Sequence, residues 1–391
     1  MLSRPPRPID TGIAVCYGKS LLQLDRRCDE ALPYLRRAAR QCPREPESIW
    51  ADAQTFLAVA LASSGEFEEA GEVLRTFAAA RLRSPANVGA LQAHAVLAAT
   101  DDWRRGWSLH ESRRYSPAVA LGGIEAAPRW NGTEAAAVAI VDEQGLGDAV
   151  LMARWIPWVI ASTGRTPRFY GRAALRRWIE ATGCEFVERP VSRSSFDDGA
   201  DAREIAEWKV ALAMSLPNLA QCSTPSDVPA PFAPRALLDA RASRVADHSR
   251  RVGVCWTSTG ANLNKQLRFS PEQFAEIWCP LDGVEFVNLA HDARVGTSAP
   301  FGIRRFADVY ETGEVLASLD LVITVDTLVA HLAGSLGIPT VVIAPTYYDW
   351  RYRWPGDRGS AFYPSVRVFR QAYGDDVTVL SQVREHLVSI L

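Results

Sequence analysis

The sequence lacks most of the features that would sort it at once. Its seven cysteines, Cys16, Cys28, Cys42, Cys184, Cys222, Cys255 and Cys279, are scattered, odd in number and never spaced as CxxC. That argues against both a zinc site and a disulfide framework. An excess of one charge is missing too. Lys+Arg 43 against Asp+Glu 45 leaves −2, which argues against a nucleic-acid binder driven by phosphate neutralisation. No apolar run reaches the length of a membrane span, because Asp326, His331 and Pro339 interrupt the best candidate. The first residues, MLSRPPRPIDTG, lack the apolar run of a secretion signal. A reduced, cytoplasmic setting is expected, with a peripheral place at the inner membrane left open. What is present is an apolar fraction of 48% over 391 residues, enough to bury two or three cores without disulfides or metals.

The chain is organised around LDLVITVDTLVAHLAGSLGIPTVVIAP, Leu319 to Pro345. Leu321–Val325 is a β-branched apolar run, long enough for a strand buried on both faces. Asp326 stands where a helix N-cap belongs and Thr327 opens the helix. Gly337 stops it, Pro339 follows, and Thr340–Ala344 is the next strand. In open parallel sheets ligands bind beyond the carboxyl ends of strands, where helix N-termini point. Asp326, Thr327 and His331 lie there, with His331 one helical turn from Thr327. A plain cap and a satisfied buried histidine would give the same pattern.

Upstream, about Ser20 to Tyr115 reads as helices only. Ala53–Ala80 is a helical hairpin with Gly65 in its turn. Glu69-Ala70 and Leu74 echo Glu30-Ala31 and Leu35 at a shift of 39 residues, and Asp101–Arg114 is a third partial echo. Such periods indicate stacked helix pairs and resemble tetratricopeptide repeats. An ordinary helical bundle is the alternative. Ser116–Arg129 is a linker by its glycines and prolines, so the helical part is expected to be dispensable for ligand binding by the rest of the chain.

From there strands and helices alternate. Ala137–Val141, Phe169-Tyr170, Glu185–Val187 and Lys209–Met214 are strands of a first α/β domain. The loop Ser192–Ala202 carries Asp197, Asp198 and Asp201, read as solvated rather than metal-binding. Asp227–Pro234 connects to a second α/β domain. It contains the strand Arg251–Trp256, a capping box at Ser270-Pro271-Glu272-Gln273, the strand Val284–Leu289, a helix over Gly313–Leu319 and the central stretch. Val366–Phe369 and the amphipathic Val377–Leu391 close the chain. Two such domains in series imply a cleft between them.

Several residues are suited to chemistry there. Gly145-Leu146-Gly147-Asp148 follows a strand and opens a helix. Val150 replaces the third glycine of a dinucleotide fingerprint and no acidic residue ends the second strand, so a nicotinamide enzyme is rejected. Gly145 and Gly147 permit close approach of a bulky ligand, and Asp148 is either a carboxylate at the sheet edge or an N-cap. Thr257 and Ser258 leave a strand end, and Lys265 and Arg268 come within ten residues, cations suited to a diphosphate or simply solvated. Trp350 and Arg351, after another strand end, could stack on a base or sugar or close the domain interface.

The two α/β domains resemble the heptosyltransferase-like glycosyltransferases of the GT-B fold, in the bacterial branch fused to tetratricopeptide repeats. The matching blocks are RWNG (Arg129–Gly132), EQGLGD (Glu143–Asp148), MSLP (Met214–Pro217), CW with Lys265 and Arg268, LDLVITVDTLVAHLAGSLG (Leu319–Gly337), DWR (Asp349–Arg351) and FYPSVRVFRQ (Phe362–Gln371). The resemblance implies three units: helical repeats over 1–118, a Rossmann-like acceptor domain over 128–245 and a Rossmann-like donor domain over 250–391. It implies a nucleotide-diphosphate sugar as donor and a glycan or protein as acceptor, with no metal and no further cofactor. A protein partner for the helices is left open. Asp148 takes the place of the base, while Asp326, Thr327, His331 and either Lys265 or Arg268 hold the donor, with Thr257, Ser258 and Arg351 beside them. Leu328 departs from the small residue usual after the Asp-Thr pair. A degenerate fold acting as a scaffold through its helices is the rival expectation.

Overall fold

The computed structural model describes residues 8–21, 28–42, 44, 46–82, 87–115, 128–188, 208–244, 250–257, 269–278, 281–290, 306–344, 349–352, 359–371 and 376–390. Most of the linker and the acidic loop read from the sequence lie outside them.

The N-terminal part is three helix pairs in series: α1 (Pro8–Ser20) with α2 (Cys28–Gln41), α3 (Glu47–Ser63) with α4 (Phe67–Ala79), and α5 (Asn87–Ala99) with α6 (Trp103–His110). Consecutive helices pack on one another. Gly65, at φ +82, makes the α3–α4 turn. The 39-residue echo has a physical basis. Ala31 and Leu35 on α2, and Ala70 and Leu74 on α4, are all buried on second helices of a pair. Small residues there let the paired helices approach closely.

The first sheet has the order β3-β2-β1-β4 and is all parallel, from β1 (Val138–Val141), β2 (Arg168–Gly171), β3 (Glu185–Glu188) and β4 (Lys209–Leu212). Its helices are α7 (Leu146–Met152), α8 (Ile156–Thr163), α9 (Arg176–Glu180), α10 (Leu216–Leu219) and α11 (Arg235–Ala242). The fourth strand ends earlier than its apolar run suggests, because Ala213–Ser215 turns into a 3-10 helix. The second sheet has the order β6-β5-β7-β8-β9, again all parallel, from β5 (Arg250–Cys255), β6 (Val284–Asn288), β7 (Leu321–Val325), β8 (Thr340–Ala344) and β9 (Val366–Arg370). Its helices are α12 (Pro271–Trp278), α13 (Val309–Ala317), α14 (Leu328–Ser335) and α15 (Asp376–Ile390). The capping box at α12 forms in both directions, Gln273 N–H donating to Ser270 Oγ at 3.1 Å and Ser270 N–H to Gln273 Oε1 at 2.7 Å. The α13 helix starts four residues before Gly313, capped by the Asp308 carboxylate, which accepts from Glu311 N–H at 2.7 Å. Two parallel sheets covered by helices and preceded by a helical part are the two α/β domains and the all-α part that the sequence suggests.

The helical part docks on the rest of the chain. Trp103 stacks on Phe362 with ring centroids 5.3 Å apart, and Trp107 meets Trp350 edge-on at 5.1 Å. Both tryptophans are fully buried, in a core cluster that runs through the helices and both sheets. Removing α6 would uncover Trp350 and Phe362, at roughly 1.5–3 kcal/mol for each large side chain. The linker's composition concealed this, since flexible chain between two units says nothing about whether they dock.

His110 at the end of α6 lies in the same contact, its ring 5.7 Å from Trp107 and 6.1 Å from Trp350. Burial first, then the positive charges of Arg113, His94 and Arg351, push its imidazole well below the ordinary value, with Asp349 opposing. An unfolded histidine takes a proton near pH 6.5. The folded one resists it, so this contribution to stability is full above that pH and is lost as pH falls. The melting temperature should therefore drop between pH 7.5 and 5.5, and His110→Phe should flatten the drop. An unchanged pH profile in His110→Phe would remove His110 from this role.

Candidate active site

Helices α7 and α14 start past the carboxyl ends of β1 and β7, an inner strand of each sheet, and they pack on each other. Each helix begins within a few residues of the end of its strand, at a capped turn. Gln144 takes φ +62, Gly145 caps α7, and the Gly145 N–H donates to Asp148 Oδ2 at 2.8 Å. Thr327, not Asp326, caps α14: its hydroxyl accepts from Val329 N–H at 3.2 Å and lies 3.0 Å from the Thr324 hydroxyl. Both residue types cap well. Asp326 instead points back into its own domain, where Oδ1 accepts from the Tyr352 hydroxyl at 3.0 Å. Burial, then the charges of Asp326 and Asp349, hold that phenol well above its ordinary range.

The two helices touch at a glycine. A Cβ on Gly147 would lie 2.4 Å from His331 Cδ2 and 3.2 Å from its Nε2. Gly147 is therefore needed for the approach of His331 to the neighbouring domain's loop, whatever it also permits to a ligand. On its other side the His331 ring is held by Tyr363, whose hydroxyl is 3.1 Å from Nδ1. Tyr363 packs where Gly334 leaves room, a Cβ there falling 2.5 Å from its ring. Arg154, in the 3-10 turn that follows α7, donates to the Phe362 carbonyl at 2.8 Å and lies 4.8 Å over the Tyr363 ring.

Asp148 joins the two domains. Its Oδ1 accepts from Arg351 Nη2, and Arg351 Nη1 also donates to both Asp349 oxygens at 2.9 Å. Burial alone would pull the Arg351 guanidinium down, but Asp148, Asp349 and Asp326 together hold it well above its ordinary value. Arg351 lies 4.3 Å over the Trp350 ring. Of the alternatives the sequence left for this pair, the structure puts Trp350 in the buried interface and Arg351 at once in that interface and at the cleft wall.

The cleft holds about 490 Å³ and is lined by both domains: Gly145, Gly147, Asp148 and Arg172 on one side, Thr257, Asp326, Thr327, Leu328, His331 and Arg351 on the other. Leu328 thus occupies cleft wall. Ser258, Lys265 and Arg268 lie outside the described residues. Among the described residues the cations at the cleft are Arg172 and Arg351, both already paired with carboxylates; Arg172 grips Asp142 through Nε at 2.7 Å and Nη2 at 3.0 Å. No cluster of His, Cys, Asp and Glu able to hold a metal occurs among the described residues, and no helix there is long and apolar enough to cross a membrane.

Sequence reasoning missed Tyr352, Tyr363, Asp142, Arg172 and Glu143 as parts of this site. Two of them sit inside blocks that were singled out, Glu143 in EQGLGD and Tyr363 in FYPSV. Arg172 had one available signal, its position just past the carboxyl end of β2.

Fold and cleft define a two-domain α/β protein in which one helix of each domain packs on the other at the cleft. No protein-family model matches the chain. The protein FlbA of Caulobacter vibrioides is 28% identical over 315 residues, 69% of this chain and 50% of that protein, so the chain spans about half the length of the curated relative it matches. Among solved structures, the ADP-heptose lipopolysaccharide heptosyltransferase II of E. coli is similar with a TM-score of 0.44 and 13% identity, over 65% of this chain and 98% of that one. A glycosyl transferase family 9 protein of Veillonella parvula is similar with a TM-score of 0.41 and 13% identity, over 67% and 92%.

Proposed function

We propose that the chain is a glycosyltransferase that moves a sugar from a nucleotide-diphosphate donor to a hydroxyl of a glycan or protein, with inversion and without a metal. The observation that carries this reading is the meeting of α7 and α14, which sets the Asp148 carboxylate beside Arg351 and opposite Thr327 and His331 around one cleft. In the single displacement that fits, Asp148 takes the proton from the acceptor hydroxyl while that oxygen attacks the anomeric carbon. The departing diphosphate is received by the N-terminus of α14, whose dipole favours negative charge. Lys265 or Arg268 supplies the cation. Protonating Asp148 leaves Arg351 still neutralised by Asp349, so the proton can be accepted without stranding a buried guanidinium. The setting proposed is cytoplasmic, with peripheral membrane contact open, and a protein partner for the helices is proposed with it.

The rival is a binding protein on the same fold, and the position of Leu328 in the cleft wall favours it. One experiment separates the two. The full chain is screened by thermal shift against nucleoside diphosphates and their sugars, and any binder is then tested for release of nucleoside diphosphate. A transferase gains stability with one donor by mass action and releases its diphosphate. A scaffold releases none from any donor.

A further inference from the structure

The segment from Trp103 to Arg113 touches three parts of the cleft from behind. Toward the first domain, Arg113 grips Glu143, Nε to Oε2 at 3.1 Å and Nη2 to Oε1 at 2.6 Å, and Nη2 also donates to Ser215 Oγ at 2.9 Å. Glu143 Oε1 further accepts from Met214 N–H at 3.0 Å, tying the loops after β1 and β4 together. Glu143 stands two residues before Gly145, across the left-handed Gln144, so its side chain fixes where the loop carrying Asp148 begins. Toward the second domain, Trp107 backs Trp350, which carries Arg351 over its ring. Trp103 backs Phe362, the residue before Tyr363, which holds His331.

We infer that Arg113 and Trp107 are positioning residues for the cleft, setting Asp148 and Arg351 in register from the helical part, so that the helices are a built-in component of the site. The inference rests on the glycosyltransferase reading for its consequence in turnover, but not for its geometry. Arg113 is buried and its partners span two loops, an arrangement better suited to fixing one geometry than to adding stability. Misplacement of reacting groups by about 1 Å is enough to cost on the order of 10²-fold in rate.

The test uses the full chain carrying Arg113→Met, Arg113→Lys or Trp107→Leu, with hydrogen exchange as the first readout. Arg113→Met should speed exchange at 143–148, and Trp107→Leu at 349–352, each by about tenfold, while β5, β7 and β8 keep their protection. Arg113→Lys, which keeps the charge but not the forked geometry, should give the same local change in smaller degree and stands in if Arg113→Met does not fold. With the donor selected by thermal shift, kcat should fall by at least about tenfold with donor KM within about twofold. Unchanged exchange at both loops in folded variants, or an equal loss of protection across both sheets, overturns the inference. A chain that transfers no sugar from any donor overturns the functional reading instead, and the exchange pattern still decides the positioning role.

Discussion

Arg351→Met should lower the unfolding free energy of the full chain by about 3–5 kcal/mol, the cost of breaking a buried ion pair from one side. Arg351 is 5% exposed, Asp349 6% and Asp148 9%, so the substitution leaves two carboxylates out of water without the guanidinium that bonds both. Methionine replaces the volume and much of the contact with Trp350, which confines the loss largely to charge. The ion pair also crosses the cleft, from a residue after β8 to one on α7. Its loss should loosen the domains against each other as well as destabilise the chain. Asp148→Asn combined with Arg351→Met removes one of the stranded charges. The double variant should therefore be more stable than the sum of the single losses implies, by about 0.5–3 kcal/mol for directly contacting residues. Chemical denaturation of the four proteins measures this coupling. Strict additivity would mean that Asp148 and Arg351 do not sense each other in solution.

The local parts of this architecture could be read from the sequence. Leu321–Val325, Gly337 and Thr340–Ala344 come out where their residue types put them, with Gly337 at φ +64 and both strands buried throughout. A β-branched run, a cap and a glycine stop act within a few residues, so one sequence contains the whole signal. The approach of Asp148 to the second domain has no such signal, because Arg351 lies 203 residues further on. The same holds for Arg113 and Glu143, 30 residues apart across a linker. Their pairing comes from docking, which spacing does not encode. Asp326 shows a subtler limit. Asp and Thr are both good caps and stand side by side, so propensity cannot choose. The buried Tyr352 hydroxyl, which needs an acceptor, draws Asp326 inward and leaves Thr327 to cap.

Asp148→Asn should slow sugar transfer by about 10²–10⁴, or about 3–5 kcal/mol of barrier, if Asp148 is the base. A sugar hydroxyl is a poor nucleophile at neutral pH, and Asp148 is the carboxylate that a glycine-spaced loop brings to the cleft wall from the first α/β domain. Asparagine keeps the shape, and its carbonyl oxygen can accept from either Gly145 N–H or Arg351, but not from both as the carboxylate does. From the sequence alone, donor affinity should barely change, since the donor would belong to the other domain. The structure alters that expectation. Asp148 bonds to Arg351 of the second α/β domain, and α7 packs on α14, so a modest change in donor affinity should accompany the loss of rate. The measurements are turnover, donor affinity and a denaturation curve on the same preparation. A folded variant that binds donor and transfers very slowly identifies the base. Near-normal turnover in a folded variant would reduce Asp148 to a cap and an interdomain anchor. A rate loss matched by a comparable loss of donor affinity would assign its role to holding Arg351, and the base would then have to be sought elsewhere in the cleft.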